Sequence, residues 1–387
     1  MSEEPPAETT SAQTTSAEGR KPRVAVVFGG RSNEHAISCV TAGSVLEAID
    51  RTAYDVVPIG IAPDGRWVLE SADPARLRIA PGADLPGVDG GRAPVALAQG
   101  RGATALVVSE PGAPPRELGA VDVVFPLLHG PWGEDGTIQG MLEMAGVRYV
   151  GAGVLASAVS MDKAFMKVVL AAAGLPVLAA EVVTAEDWER RREATRARVD
   201  ALGYPLFAKP ARGGSSIGIS KVHTAGGLDR AVATAQEHDP KVLVEVAAVG
   251  AREIECGVLG NPQGDPLTSV TAEVRIGGNH EFYDFAAKYL PEEHTRLDVP
   301  AELPAGVEKE LQLLAARAFQ AVACEGLARV DFFVMPDGRL MVNEINTMPG
   351  FTPMSMFPRM WAASGVPYPE LVDRLLRLAL DRDTGLR

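Results

Sequence analysis

Apolar residues follow two different periods along the first part of the chain. Residues 23–28 form a nearly continuous apolar run that ends at two glycines, as a buried strand does, and residues 36–49 carry apolar positions at helical spacing. A second strand pattern at 121–128 is followed by a helical pattern at 137–145. Strands that alternate with helices predict a mostly parallel α/β sheet in a first domain.

Shorter elements follow a boundary that we place near residues 151–153. Helices are predicted at 160–173, 186–202 and 228–237, and strands at 205–209, 217–222 and 242–246. A glycine-rich loop at 211–216 joins the first two of these strands. This mixture predicts a small α+β central domain.

The last part of the chain is predicted as strands at 253–260 and 267–275, an irregular stretch at 276–304, a helix at 307–324 and a final hairpin. Irregular connections of that length are typical of lids, binding loops or disordered segments. The predicted organisation is therefore a disordered tail (1–20) and three domains (21–155, 156–248 and 249–387). Apart from Met1, the tail has no large apolar side chain to bury.

The final hairpin carries acidic residues on both of its strands. Residues 327–335 and 340–346 alternate in polarity on either side of the turn at 336–338. With a two-residue loop centred on Asp337-Gly338, Asp331 would lie opposite Glu344. The two carboxylates would then share one face.

Two like charges facing each other destabilise a sheet unless a cation lies between them. In the same register Arg329 lies opposite Asn346, on the face of Asp331 and Glu344. Two carboxylates and an amide oxygen suit Mg²⁺. The alternative is a solvated polar face on which Arg329 pairs with one acid, and a longer loop would make the acids diagonal.

Composition limits the partners. The 387 residues are 46% hydrophobic and 22% charged, which is ordinary for a globular protein of two or three domains. A formal net charge of −13 argues against nucleic acids and anionic membranes. The sequence shows no signal peptide and no apolar stretch of the roughly 20 residues that a membrane helix needs. Three scattered cysteines fit a reducing cytoplasm.

A lysine and a glycine-rich loop suggest a phosphate site. Lys209 ends a predicted strand just before the loop 213–218, whose backbone N–H groups could surround phosphate oxygens. The pattern is neither a P-loop nor a Rossmann fingerprint. The alternative is a plain hairpin turn with a surface lysine.

Other polar residues stand at the ends of predicted elements. Lys163 lies in the first turn of a helix, where its charge opposes the helix dipole, so it either has an anion nearby or is merely solvated. Glu34 and His129 follow strands at the carboxyl edge of the parallel sheet, where open sheets bind ligands. Glu34 could instead simply begin a helix, and His129 could pack under the glycines. Arg329 suits an oxyanion beside a metal, and Gly350 allows close backbone approach to a ligand.

Taken together, these residues resemble the ATP-grasp carboxylate-amine ligases, and within them the D-alanine–D-alanine ligases. Seven segments match the family pattern in order: 27–35, 129–136, 160–163, 209–218, 288–289, 329–331 and 343–350. The match spans about residues 22–380. The resemblance implies that ATP phosphorylates the carboxylate of one D-alanine and that the amine of a second D-alanine attacks the acyl phosphate. Because acyl phosphates hydrolyse readily, the stretch carrying Lys288 and Tyr289 is expected to close as a lid.

The resemblance also implies roles for individual residues. Glu34 would receive the first substrate's ammonium and form a hydrogen-bonded triad with Ser215 and Tyr289, and His129 would lie close to that substrate. Lys163 and Lys209 would hold ATP phosphates, with Ser216 and Lys288 near the transferred phosphate. The implied metal ligands, for two Mg²⁺ or Mn²⁺ ions, are Asp331, Glu344 and Asn346. The implied oxyanion donors are Arg329 and the N–H of Gly350, and Ser355 would take the second carboxylate.

One stretch departs from the family pattern. Residues 243–253 are one residue longer than expected, with Val246 where a lysine often stands. Glu253 is the implied ribose ligand, and Glu245 with the backbone of 246–248 the implied adenine contact. A D-alanine–D-lactate ligase is a second hypothesis, disfavoured by Tyr289, and a non-catalytic nucleotide-binding protein is a third. Family relatives imply a homodimer.

Overall fold

The computed structural model describes residues 20–79, 85–99, 104–110, 112–276 and 295–385. Within these ranges the strands form four sheets, three of which carry the functional candidates. Lys288 and Tyr289 lie outside the described residues, as does most of the predicted tail.

The first sheet is mostly parallel, as predicted. Its strand order is β3-β2-β1-β7-β8, with only the β2–β3 pair antiparallel. The strands are β1 (Arg23–Gly29), β2 (Asp55–Ile61), β3 (Trp67–Leu69), β7 (Val123–Pro126) and β8 (Arg148–Tyr149). Helices α1 (His35–Ala48) and α2 (Thr137–Met144) follow β1 and β7. The glycines after β1 and the loop after β7 therefore meet at the carboxyl edge of the sheet.

Between β3 and β7 the chain forms a second, antiparallel sheet. It contains β4 (Val95–Gln99), β5 (Thr104–Val108) and β6 (Arg116–Ala120), after a short 3₁₀ helix at Pro74–Leu77. Leu106 and Val108 of this sheet share a hydrophobic core with Ala25 and Val27 of β1.

The predicted helix at 160–173 is wrong in its extent, because two helices meet there. Helix α3 (Val154–Met161) ends and α4 (Lys163–Ala172) begins at Asp162, whose carboxylate accepts hydrogen bonds from the N–H groups of Ala164 and Phe165. Asp162 also pairs with Lys241 at 2.8 Å. Lys163 is therefore the first residue of α4, which agrees with its predicted place in a first helical turn.

The central sheet is antiparallel, in the order β11-β10-β12-β9. Its strands are β9 (Ala180–Thr184), β10 (Leu206–Pro210), β11 (Ser220–Val222) and β12 (Lys241–Val246). Its helices are α5 (Ala185–Arg190), α6 (Arg192–Asp200), a 3₁₀ turn at Ala225–Gly227 and α7 (Leu228–Gln236), so the helix predicted at 186–202 is interrupted at Arg191. The buried residues of this sheet and its helices form a core of their own.

The third large sheet has the order β15-β14-β13-β16-β17 and is antiparallel throughout. Its strands are β13 (Arg252–Leu259), β14 (Leu267–Ile276), β15 (Thr295–Asp298), β16 (Leu327–Val334) and β17 (Leu340–Asn346), and α8 (Ala305–Ala321) packs on it. Strand β15 lies within the stretch predicted as irregular, so that prediction is wrong for 295–298.

The hairpin of β16 and β17 reaches the predicted register by a different route. Its loop has three residues, because Met335 and Arg339 are the last bonded pair. Three loop residues would have shifted Asp331 away from Glu344. A bulge at Asn343 restores the alignment, so that Asp331 pairs with Glu344 and Arg329 with Asn346.

The chain ends in helices α9 (Met356–Ala363) and α10 (Tyr368–Leu380). Buried residues of α10, among them Leu371 and Leu375, share one core with Val24 and Phe28 of β1. Among the described residues no helix is long and apolar enough to cross a membrane.

Candidate active site

A cavity of about 970 Å³ lies between the central sheet, the C-terminal sheet and the loops at the edge of the first sheet. All of the predicted site residues that the structure describes contribute to its lining: Glu34, His129, Lys163, Lys209, Ser215, Ser216, Glu245, Glu253, Arg329, Asp331, Glu344, Asn346, Gly350 and Ser355. They come from distant parts of the chain and converge on one space. The remaining two predicted residues, Lys288 and Tyr289, lie outside the described ranges.

The last hairpin, formed by β16 and β17, provides the floor of the cavity. Asp331 and Glu344 are direct cross-strand partners on its cavity side. Arg329 donates to both oxygens of Asp331, from Nε at 2.7 Å and from Nη2 at 2.6 Å. Glu344 lies 3.4 Å from the ammonium of Lys163. The pairing expected for a solvated polar face is therefore present, but it occurs inside a cavity.

The donors on this floor suit a hard divalent cation. Two carboxylates and the amide of Asn346 present oxygen atoms, and Mg²⁺ is commonly held by one or two carboxylates together with substrate phosphates. No group of three or more His, Cys, Asp or Glu side chains forms a ready cage within the described ranges. A site completed by phosphates fits this donor set, and an ion bound to Asp331 would compete with Arg329.

Two lysines that were predicted to hold phosphates, Lys163 and Lys209, line the cavity together with the glycine-rich loop. Lys163 donates to the carbonyl of Gly213 at 2.7 Å, which ties α4 to the glycine-rich loop. Lys209 lies 3.1 Å from the carboxylate of Glu245, and Lys167 contacts the other oxygen of that carboxylate at 2.5 Å. Burial would raise the pKa of Glu245, but Lys209 and Lys167 hold it below its usual value. The carboxylate of Glu245 is thus engaged by lysines, and the neighbouring backbone lines the cavity.

The glycine-rich loop also reaches the first domain. The hydroxyl of Ser215 donates to Glu34, although the two residues are 181 positions apart. Ser215 and Ser216 have φ values of 51° and 57°, in the left-handed region that is unfavourable for residues other than glycine. A Cβ added to Gly214 would approach Glu34 to 3.3 Å. The loop therefore keeps a strained backbone where it meets Glu34.

His129 is buried between the first and last segments of the site. Its ring nitrogens lie 3.2 Å from the carbonyl oxygen of Met348 and 3.4 Å from the hydroxyl of Thr41. Burial lowers the pKa of His129, with Glu34 opposing the shift. The imidazole is therefore neutral near pH 7.

The turn after β17 forms one end of the cavity. The hydroxyl of Ser355 accepts from the N–H of Thr352 at 3.2 Å and lies 2.9 Å from the Thr352 hydroxyl. A Cβ on Gly350 would come within 3.1 Å of the Ser355 oxygen. Glycine thus lets this backbone run close to Ser355.

Sequence reasoning assigned no role to three ionisable residues of interest: Glu134 and Glu255, which line the cavity, and Lys167, which pairs with Glu245. Glu134 lies within the segment 129–136 and accepts from the N–H groups of Gly130 and Met348. Lys167 lies four residues after Lys163, on the same helix face, which was the available signal. Glu255 lies two residues after Glu253, on the same strand face.

The three large sheets around one cavity, with lysines on the central sheet and acids on the C-terminal sheet, define the ATP-grasp class of ATP-dependent ligases. Family models agree with this class: the D-ala D-ala ligase N-terminus matches residues 23–152, and the D-ala D-ala ligase C-terminus matches residues 169–377. The chain belongs to the D-alanine–D-alanine ligase family, whose members use ATP and a divalent metal.

Individual relatives cover nearly the whole chain. D-alanine–D-alanine ligases from Arthrobacter sp. (strain FB24) and Kineococcus radiotolerans are 58% and 59% identical, over 95% of this chain and 96% and 99% of theirs. Among solved structures, the VanG D-Ala:D-Ser ligase of Enterococcus faecalis has a TM-score of 0.80 at 34% identity and covers 93% of this chain and 100% of its own. The D-alanine–D-alanine ligase of Coxiella burnetii has a TM-score of 0.76 at 36% identity, covering 94% of both chains.

Proposed function

We propose that the chain joins two D-alanine molecules into D-alanyl-D-alanine, a peptidoglycan precursor, at the expense of ATP. The supporting observation is that Asp331 and Glu344 face each other on the floor of the same cavity that Lys163, Lys209 and the Glu34–Ser215 pair line. Carboxylates for a metal, cations for phosphates and an anion for a substrate ammonium thus meet in one space.

In the first step the γ-phosphoryl group moves from ATP to a carboxylate oxygen of the first D-alanine, and ADP is the leaving group. Lys163 and Lys209 hold the phosphates, and Ser216 lies beside the transferred group. Glu253 and the backbone at 246–248 bind the ribose and adenine. The carboxylate of Glu34 holds the ammonium group of the first D-alanine close to His129. The hydroxyl of Ser215 donates a hydrogen bond to Glu34 and so restrains its carboxylate.

In the second step the free amine of the second D-alanine attacks the carbonyl carbon of the acyl phosphate. Arg329 and the N–H of Gly350 stabilise the resulting oxyanion, and inorganic phosphate leaves. Ser355 holds the second carboxylate. Lys288 and Tyr289 belong to the lid that we propose excludes water.

Asp331, Glu344 and Asn346 would hold two magnesium ions, or manganese ions in their place. When bound, such ions supply positive charge that offsets the phosphate oxygens. We further propose that residues 21–155, 156–248 and 249–387 are the three domains, that the protein acts as a homodimer, and that it works in the cytoplasm. Its three buried cysteines are free thiols, which suits a reducing compartment.

The test is phosphate release from ATP and Mg²⁺ in the presence of D-alanine, compared with L-alanine and with mixtures of D-alanine with D-lactate or D-serine. We expect release that depends on D-alanine and a dipeptide product. A depsipeptide as the main product would favour the lactate-using hypothesis. Release without any amino acid would favour a nucleotide-binding protein that does not ligate.

A further inference from the structure

Three carboxylates lie in one row across the C-terminal sheet. Glu255 on β13 pairs with Asp331 on β16, and Asp331 pairs with Glu344 on β17. All three line the cavity, and Glu255 is 7% exposed. Like charges in register repel each other, so a buried third acid requires a reason. None of the proposed reaction steps uses Glu255.

The reason lies in Arg329, one side-chain step from Asp331 on the same strand face. Its guanidinium holds both oxygens of Asp331, and its Nε also lies 3.2 Å from Glu255. Although burial opposes the charge of Arg329, Asp331 and Glu255 raise its pKa. One cation therefore joins two neighbouring acids of the row.

Asp331 and Glu255 cannot both remain paired with Arg329 in the same way throughout the reaction. Asp331 is a proposed metal ligand, and a metal that takes its oxygens competes with the guanidinium that now holds both of them. Glu255 contacts Arg329 from the other neighbouring strand. Glu255 can therefore keep the guanidinium of Arg329 on the cavity face when the Asp331 carboxylate binds the metal.

We infer that Glu255 is a positioning residue: it retains Arg329 at the oxyanion site and so leaves Asp331 available to the metal. This inference rests on the proposed function, because it assumes that Asp331 binds metal and that Arg329 meets the oxyanion. A carboxylate that forms an ion pair with a buried arginine helps to hold the guanidinium in one place.

The test combines Mn²⁺ titration followed by electron paramagnetic resonance with steady-state kinetics of Glu255→Gln. Without the second anion, Arg329 holds Asp331 more tightly, so we expect Mn²⁺ to bind about tenfold more weakly with an unchanged number of ions. Misplacing one oxyanion donor should lower kcat by about 100-fold, with KM for D-alanine within about threefold of the unchanged protein.

Coupling to Arg329 separates positioning from simple loss of charge. Arg329→Lys keeps the positive charge but cannot bridge two carboxylates. If Glu255 acts through Arg329, adding Glu255→Gln to this variant should lower kcat by less than about threefold. Additive losses would overturn the inference, as would unchanged kcat and Mn²⁺ affinity. Loss of one bound ion would overturn it too, since Glu255 would then be a ligand.

The control is Glu325→Gln, which removes a carboxylate paired with Arg382 at 3.1 Å outside the cavity. It should leave kcat and Mn²⁺ binding unchanged. Coupling between Glu255 and Arg329 can also be measured as non-additive thermal unfolding of the metal-free variants. That measurement stands even if D-alanine supports no phosphate release, so failure of the proposed function and failure of this inference can be told apart.

Discussion

Glu134 joins two segments of the site through one side chain. Its oxygens accept from the N–H of Gly130 at 2.6 Å and from the N–H of Met348 at 3.2 Å, so it ties the loop after β7 to the turn after β17. Burial and the nearby charge of Glu34 raise the pKa of Glu134 from 4.5 to about 8. The folded protein therefore holds a proton on this carboxyl that the unfolded chain loses at lower pH.

This raised pKa predicts how stability depends on pH. The contribution is fully present below about pH 4.5 and declines as the pH rises towards 8, because the folded state binds the extra proton over that interval. The slope is at most about 1.4 kcal/mol per pH unit. In Glu134→Gln, which cannot ionise, unfolding free energy measured by urea denaturation should fall less steeply between about pH 5.5 and about pH 7.5. Parallel curves for the two proteins would contradict the raised pKa.

At the level of elements, the last hairpin shows what the sequence could and could not predict. Alternating polarity correctly predicted both strands, and the assumed two-residue loop placed Asp331 opposite Glu344, as the structure does. The expected two-residue loop is wrong, and the bulge at Asn343 offsets that error. A bulge depends on pairing across strands, which alternation along one strand does not encode. Likewise, the helix predicted at 160–173 ran through Asp162, whose carboxylate instead caps α4 and pairs with Lys241.

The same hairpin loop offers a stability test with a matched control. Gly338 has a φ of 85°, and a Cβ added there would meet no atom within 4 Å, so Gly338→Ala carries only the conformational penalty. We expect a loss of about 1 kcal/mol in the free energy of unfolding. Gly140, in the middle of α2, also has space for a Cβ but lacks positive φ. Gly140→Ala should raise the free energy of unfolding by about 0.5–1 kcal/mol. If both substitutions stabilised the protein, or both destabilised it, this explanation would be contradicted.

At the scale of the whole molecule, the cavity depends on parts of the chain that sequence patterns treat separately. The family resemblance predicted which residues would meet, and those that the structure describes do line one cavity. Physical patterns alone did not predict that Ser215 would reach Glu34, because that contact joins two separate sheets. Glu255 and Lys167 were missed because their partners, Arg329 and Glu245, lie on strands distant in sequence.

Ligand binding should stabilise the whole molecule through this cavity. With ADP and Mg²⁺ at 100 times the dissociation constant, the expected gain is about 2.7 kcal/mol, seen as a Tm increase of a few degrees. Glu344→Gln should unfold near the normal Tm without ligands, because its side chain is partly exposed, yet lose the Mg²⁺-dependent part of the increase and nearly all turnover. The measurement compares the Tm increase caused by ADP with and without Mg²⁺, in the unchanged protein and in Glu344→Gln. If Mg²⁺ added equally to the Tm of both proteins, the metal would bind elsewhere.

Helix α10 completes the core of the first sheet, although it begins only at Tyr368 and the last strand of that sheet ends at Tyr149. During synthesis the last strand of that sheet, β8, is therefore made roughly 220 residues before Leu371 and Leu375 can cover the sheet. Until α10 has been made, the side of β7 and β8 that it covers stays exposed, a natural target for a holding chaperone. The N-terminal half expressed by itself would meet the same problem permanently.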